Sequence, residues 1–143
     1  MTQRLLLPID GSECSKRAVE HVIKKVRLGG PAAYEVHLVN VQPPLPSGIT
    51  SFVSRDQVTG YQRDESEKTL AEGRTLLDAA GVRYEAHAEV GPLAETIVKL
   101  ADRLHCDEIV MGSQGRTALA DLLIGSTVTR VVHLTKLPVL LVK

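Results

Sequence analysis

Three glycines near the end of the chain, Gly112, Gly115 and Gly125, follow the spacing G-x2-G-x9-G, with Ser126 and Thr127 directly after the last. Glycine has no Cβ, so each position permits positive φ and lets backbone N–H groups approach a ligand closely. Successive N–H groups in such a turn form an anion-binding concavity. Ser126 and Thr127 stand where a new apolar pattern begins at Val128, Val131 and Val132. A helix starting there would present unpaired N–H groups and the positive end of its dipole. Loop and helix start together suit a phosphate. The nine residues between Gly115 and Gly125 reach up to roughly 30 Å when extended, enough to arch outward and return to the same ligand. The alternative is a tight turn at Gly112 and an ordinary cap at Ser126. Neither G-x4-G-K-[ST] nor G-x-G-x-x-G occurs, which removes the phosphate-loop and dinucleotide fingerprints. The spacing points to nucleotide binding.

Positioning such a motif requires a scaffold, and the rest of the chain reads as one. Glu108-Ile109-Val110-Met111 is a short apolar run ended by Gly112, the pattern of a buried strand. Leu5 to Ile9 is another, with Asp10 at its carboxyl end and Gly11-Ser12 supplying a turn and cap. Ala18, Val19, Val22, Ile23 and Val26 then recur at helical spacing until Gly29-Gly30-Pro31. Glu35 to Val41 predicts a second strand. Residues 42–60, with Pro43, Pro44, Pro46 and Gly48, predict a long loop, either a connector or a lid. A polar helix is expected from Tyr61 to Ala80 with Leu70, Leu76 and Leu77 buried, then a strand from Val82 to Val90. Gly91-Pro92 places proline at the first position of a helix bearing Leu93, Ile97, Leu100, Ala101 and Leu104 on one face. Leu137 to Val142 predicts a fifth strand. Alternating strands and helices over residues 1–143 imply a single α/β domain, a parallel sheet with helices on both faces in a doubly wound order.

In such sheets ligands bind beyond the carboxyl ends of the strands, where strand order reverses. The first and fourth strands would deliver Asp10 and Gly112 to one crevice, and Val41, ending the second, could hold a flat base. Main-chain groups in a mostly apolar pocket suffice to read an adenine edge. Asp10 could take ribose hydroxyls or a Mg²⁺ shared with phosphates, or cap the following turn.

Composition narrows the classes. With 143 residues, 43% hydrophobic and 24% charged, the chain is an ordinary globular length and mixture. Seventeen basic residues balance seventeen acidic ones, which gives nucleic acid no electrostatic footprint. The run at Leu5–Ile9 is too short for a signal-peptide core, and no apolar stretch reaches membrane length. Cys14 and Cys106, without motif spacing, fit a reduced cytoplasmic protein. His21, His37, His87, His105 and His133 show no metal-ligand spacing and read as surface or core residues. Cys14 falls in a first helical turn, where a thiol can be activated, but free cysteine more often simply packs.

The stretches Leu5 to Ser12, Val39-Asn40-Val41 and Met111 to Arg116 through Gly125-Ser126-Thr127 resemble the universal stress protein family over essentially the whole chain. The complete glycine spacing marks its ATP-binding branch. The resemblance implies an adenine nucleotide alpha hydrolase-like sheet of order 3-2-1-4-5. It also implies ATP, or AMP or ADP, with base and ribose near Pro8, Ile9, Asp10, Val39, Asn40 and Val41. Phosphates would lie against Gly112, Ser113, Gly115, Arg116, Gly125, Ser126 and Thr127, with Met111 also among the nucleotide-binding residues. It further implies a homodimer joined through residues 138–142, whose apolar strand would otherwise leave an open edge. Asn40 departs from the pattern, standing where the family often carries His.

Other classes fit less well. Adenylating enzymes of this architecture carry a Ser-Gly-Gly loop after the first strand, where this chain has Asp10-Gly11-Ser12. Arg116 is the cation near the glycine loop and no lysine accompanies it, so phosphoryl transfer, which needs aligned Lys, Arg and Mg²⁺ clamps, is expected to be slow at best. A phospho-acceptor receiver lacks its acidic pair, and a flavodoxin lacks stacking aromatics, with one Phe, three Tyr and no Trp. The rival from another class is a nucleotide-independent interaction scaffold, which would have no use for Cβ-free positions at this spacing.

Overall fold

The computed structural model describes residues 1–46, 53–115 and 124–143. Among these, strands and helices alternate: β1 (Gln3–Pro8), α1 (Glu13–Gly29), β2 (Tyr34–Gln42), α2 (Arg55–Ala79), β3 (Tyr84–Val90), α3 (Leu93–Arg103), β4 (Glu108–Gly112), α4 (Ser126–Leu134) and β5 (Val139–Val142), with a 3-10 turn at Pro31–Ala33 before β2. All neighbouring strands pair in parallel, in the order β3-β2-β1-β4-β5. The doubly wound order expected from the sequence is the one formed, with its reversal between β1 and β4.

Side chains alternate across the sheet, and both faces are covered. Leu5, Leu7, Val36, Leu38 and Val110 pack with α1 and α2 on one face. Leu6, Val39, Ile109 and Met111 pack with α3 and α4 on the other. That is why β1 reads Leu-Leu-Leu rather than apolar-polar-apolar: all three leucines have no exposed surface. Each such burial contributes about 1.5–3 kcal/mol.

Local signals set the element ends. Ser12 caps α1 by accepting from the Ser15 N–H, and Gly30, at φ 90°, ends it. At the end of α2 the N–H groups of Gly81 and Val82 donate to the carbonyls of Asp78 and Leu77, with Gly81 left-handed at φ 70°. The same closure ends α3, where His105 takes the left-handed place at φ 53° and Cys106 N–H donates to Ala101. These are Schellman closures, whose residue after the left-handed position packs back onto the helix. Val82 is therefore a buried part of the α2 stop, and β3 begins at Tyr84 rather than Val82.

The other departure is the start of α2. It begins at Arg55, not Tyr61, behind a capping box in which Ser54 and Gln57 bond each other's backbone N–H groups. The expected loop over 42–60 is shortened accordingly. The first turns of this helix are largely exposed, so they carry no apolar periodicity. The expected buried stripe is also revised: Ser66, Thr69, Leu70, Gly73 and Leu77 are buried, while Leu76 is half-buried.

Gly73 lets α2 settle onto the sheet. A Cβ there would lie 2.9 Å from both Ile9 Cδ1 and Leu38 Cδ2, and both side chains are packed in the core. Gly73→Val is expected to destabilise the chain by roughly 1–3 kcal/mol through overpacking, more than the few tenths that valine adds in helix propensity. Urea unfolding followed by circular dichroism measures this.

Candidate functional site

The carboxyl ends of β1, β2 and β4 open into a cavity of about 630 Å³, within the size range of small-molecule sites. Its floor is apolar, formed by Pro8, Ile9, Val39, Val41 and Met111. Leu93 and Ile97 of α3 wall one side, and Gly125, Ser126, Thr127 and Val128 at the start of α4 wall another. Arg130 of α4 pairs with Glu95 of α3, tying the two walls together.

The turn after β4 is held from three directions. Ser113 N–H donates to the Val142 carbonyl of β5 at 2.8 Å, and the Ser113 carbonyl accepts from Gly125 N–H at 2.7 Å. Ser12 Oγ donates to the Gln114 carbonyl at 3.4 Å. The glycine turn is thus fixed against the last strand, the α4 start and the β1–α1 turn. Gly125, not Ser126, is the N-cap of α4, and no side chain caps the helix. The first-turn N–H groups have no partner within the helix, and with Gly125, Ser126, Thr127 and Val128 lining the cavity, that end of the helix dipole borders it.

Asp10 does two things at once. Its Oδ1 accepts from Ser12 N–H at 2.9 Å, the turn-capping role weighed from sequence. Its Oδ2 lies toward Gly115, where a Cβ would stand 2.7 Å away. Among the described residues that line the cavity, none carries a positive charge. What the described residues offer an anion there is main-chain donors, hydroxyls and a helix start.

The motif glycines are not there for positive φ, one of the two purposes read into them. Positive φ occurs at Gly11, Gly30, Gly81 and Gly91, and at none of Gly112, Gly115 and Gly125. What matters is the missing Cβ. At Gly112 it would collide with the backbone of α1, 2.7 Å from Cys14 C and 2.8 Å from Ser15 N. At Gly115 it would press on the Asp10 carboxylate. At Gly125, at φ −72°, the nearest atom would be 3.5 Å away, an ordinary contact.

Of the described residues that the sequence assigns to the nucleotide, all but Ser113 line this cavity. Ser113 is buried, and its main chain is engaged with Val142 and Gly125 as described. Arg116 and most of the 116–124 arch lie outside the described residues, as do residues 47–52 of the long loop. Asn40 reaches the cavity wall, but its amide is used internally: Nδ2 donates to the Ile9 carbonyl at 2.9 Å, and Oδ1 accepts from Ser66 Oγ at 3.0 Å and Gln42 Nε2 at 2.9 Å. The lining also includes Ser15, Gln42, Pro43, Thr69, Leu93, Ile97, Gln114 and Val128, which the sequence reading did not select. Ser15 and Thr69 are small polar residues buried on core-facing helix stripes, and that mismatch was the available signal. Cys106 is removed from chemistry, since burial pushes its thiol up to about 11. Cys14 is half-buried, and its Sγ accepts from Arg17 Nη2 at 3.3 Å.

A five-stranded parallel sheet with a glycine turn and an uncapped helix start at its reversal point defines a class, and comparison with known proteins gives that class its name. The sequence profile of the universal stress protein family matches residues 1–143, so the chain belongs to that family. Universal stress protein MJ0531 of Methanocaldococcus jannaschii is 29% identical over 99% of this chain and 82% of the relative. Among solved structures, protein MJ0577 superposes with a TM-score of 0.84 at 29% identity, covering 100% of this chain and 96% of that one. A universal stress protein solved in complex with cAMP superposes with a TM-score of 0.71 at 25% identity, covering 99% and 97%. The fold is the adenine nucleotide alpha hydrolase-like arrangement of this family. No helix among the described residues is long and apolar enough to cross a membrane.

The glycine analysis predicts a contrast. Gly112→Ala is expected to destabilise the fold by about 1–3 kcal/mol, because the added methyl meets backbone that cannot rotate away. Gly125→Ala should cost less than about 1 kcal/mol, the difference in cap preference. Parallel thermal melts of the two variants check the order.

Proposed function

We propose that this chain is a nucleotide-regulated stress protein: a homodimer that binds ATP, or AMP or ADP, as a regulatory ligand rather than as a fuel. The observation that carries the reading is the convergence, on one apolar-floored cavity, of the fixed 112–115 turn, the uncapped α4 start and Asp10. Adenine rests against Pro8, Ile9, Val39 and Val41, read by main-chain groups near Asn40. Asp10 takes the ribose, or a Mg²⁺ shared with phosphate oxygens, a coordination that needs one or two carboxylates. Phosphates lie against Gly112, Gly115, Gly125, Ser126 and Thr127, with Met111 on the apolar floor beside them and Arg116 as a further contact. The relative solved with cAMP supports the ligand class. Near the glycine loop the sequence has Arg116 and no lysine, which supports slow hydrolysis, because phosphoryl transfer depends on several clamps that neutralise the transferring group.

The homodimer reading rests on β5. It lies at the edge of the sheet, its four residues are apolar and only half-buried, and an open edge of this kind invites pairing. A second copy along residues 138–142 would cover it. The cysteine usage, with both thiols free, supports a cytoplasmic setting.

Gly115→Asp sets a second carboxylate against Asp10 and against any phosphate. Isothermal titration with ATP is expected to show binding weakened at least ~100-fold, about 2.7 kcal/mol, with the circular dichroism spectrum and the oligomeric state unchanged. Retained affinity would take the glycine turn out of the reading. Turnover of ATP by the wild type should fall far below the roughly 10 s⁻¹ typical of enzymes, and a rate of that size would refute a regulatory role.

A further inference from the structure

Away from this cavity, on the α3 face of the sheet, three donors from neighbouring strands meet. Parallel pairing sets His37 opposite Glu85 and Val39 opposite His87, so His37, Glu85 and His87 share one face. His37 Nδ1 lies 3.1 Å from His87 Nε2 and 3.8 Å from Glu85 Oε2, and one donor atom from each of the three lies within 4.8 Å of the others. Two donors at about 2.0–2.1 Å from one tetrahedral ion stand roughly 3.3–3.4 Å apart. The two ring nitrogens would need to part by only a few tenths of an ångström.

The surroundings match a metal site beyond the donor set. His37 is 3% exposed, and its Nε2 donates to Glu35 Oε1 at 2.8 Å. A carboxylate behind a ligand histidine fixes the tautomer and leaves the opposite nitrogen as a lone pair; here that nitrogen is Nδ1, facing the cluster. Glu35 is itself held by Arg4 Nε at 3.2 Å. The Glu85 side chain is 68% exposed, leaving the site open to water on one side.

We propose that His37 Nδ1, His87 Nε2 and the Glu85 carboxylate bind a zinc-class divalent ion, with water completing a tetrahedron and Glu35 acting as a positioning residue for His37. Two imidazoles and a carboxylate suit Zn²⁺ better than Mg²⁺ or Ca²⁺. Without the ion, His87 Nε2–H donates to His37 Nδ1. With it, His87 carries its proton on Nδ1, so the ion replaces that hydrogen bond with no net proton release. The site bridges β2 and the edge strand β3, and its occupancy would pin that edge.

The test uses the full chain, chelator-treated and nucleotide-free, titrated with Zn²⁺ by calorimetry and with Co²⁺ by absorption. The expected result is one ion per chain, a tetrahedral Co²⁺ spectrum and a Tm raised by Zn²⁺ but not by Mg²⁺. His87→Gln is expected to weaken Zn²⁺ binding ~100-fold and Glu35→Gln about 10–100-fold, while the metal-free circular dichroism spectra stay like the wild type. The half-buried His87 and the exposed Glu85 are chosen because replacing the buried His37 could unfold the strand. Zn²⁺ uptake that persists in the His87→Gln, Glu85→Gln double variant overturns the proposal. So does a folded wild type that takes up no Zn²⁺, or binding lost in Cys14→Ser.

Discussion

The backbone of Ser113 is the hinge on which the rest of the architecture turns. Its N–H is bonded to the last strand and its carbonyl to the first residue of the last helix cap. Such main-chain bonds contribute only about 0.5–1.5 kcal/mol each, but leaving either group buried and unpaired would cost more. The turn after β4 therefore has one geometry, and the cavity inherits it. Because the restraint is carried by backbone atoms, side-chain identity at Ser113 matters less than the residues on either side that let the chain come so close.

Much of the fold could be read in advance because its strands are buried on both faces. Leu5–Leu7 and Ile109–Met111 are short apolar runs, which a parallel sheet demands and few other arrangements tolerate. Helix starts were legible where a small polar cap preceded an apolar stripe, as at Ser12. They were not at Arg55, where the first turns of the helix face water and repeat no apolar spacing. Val82 alternates with the strand that follows it, yet the helix stop claims it, a choice made by hydrogen bonds that no periodicity records.

The site was legible as a location more than as a set of contacts. Asp10, Gly112, Gly115 and Gly125 do meet at one cavity, because the reversal of strand order forces the ends of β1 and β4 together. Asn40 and Gly112 show the limit. The amide of the one is consumed by Ile9, Ser66 and Gln42, and the missing methyl of the other makes room for a neighbouring helix. Both facts depend on packing between segments far apart in the chain. The His37, Glu85 and His87 cluster was invisible for the same reason: its members are spread over some fifty residues, and only the register of β2 on β3 unites them.

Val142 belongs to two arrangements at once. It ends the strand at the open margin of the sheet, and its carbonyl anchors the glycine turn that borders the cavity. Were a second copy to dock along that margin, the two events would share a mechanical element, and linkage then requires the influence to run equally in both directions. Whatever firmness a ligand lent to the margin, such a neighbour would have to return to the ligand.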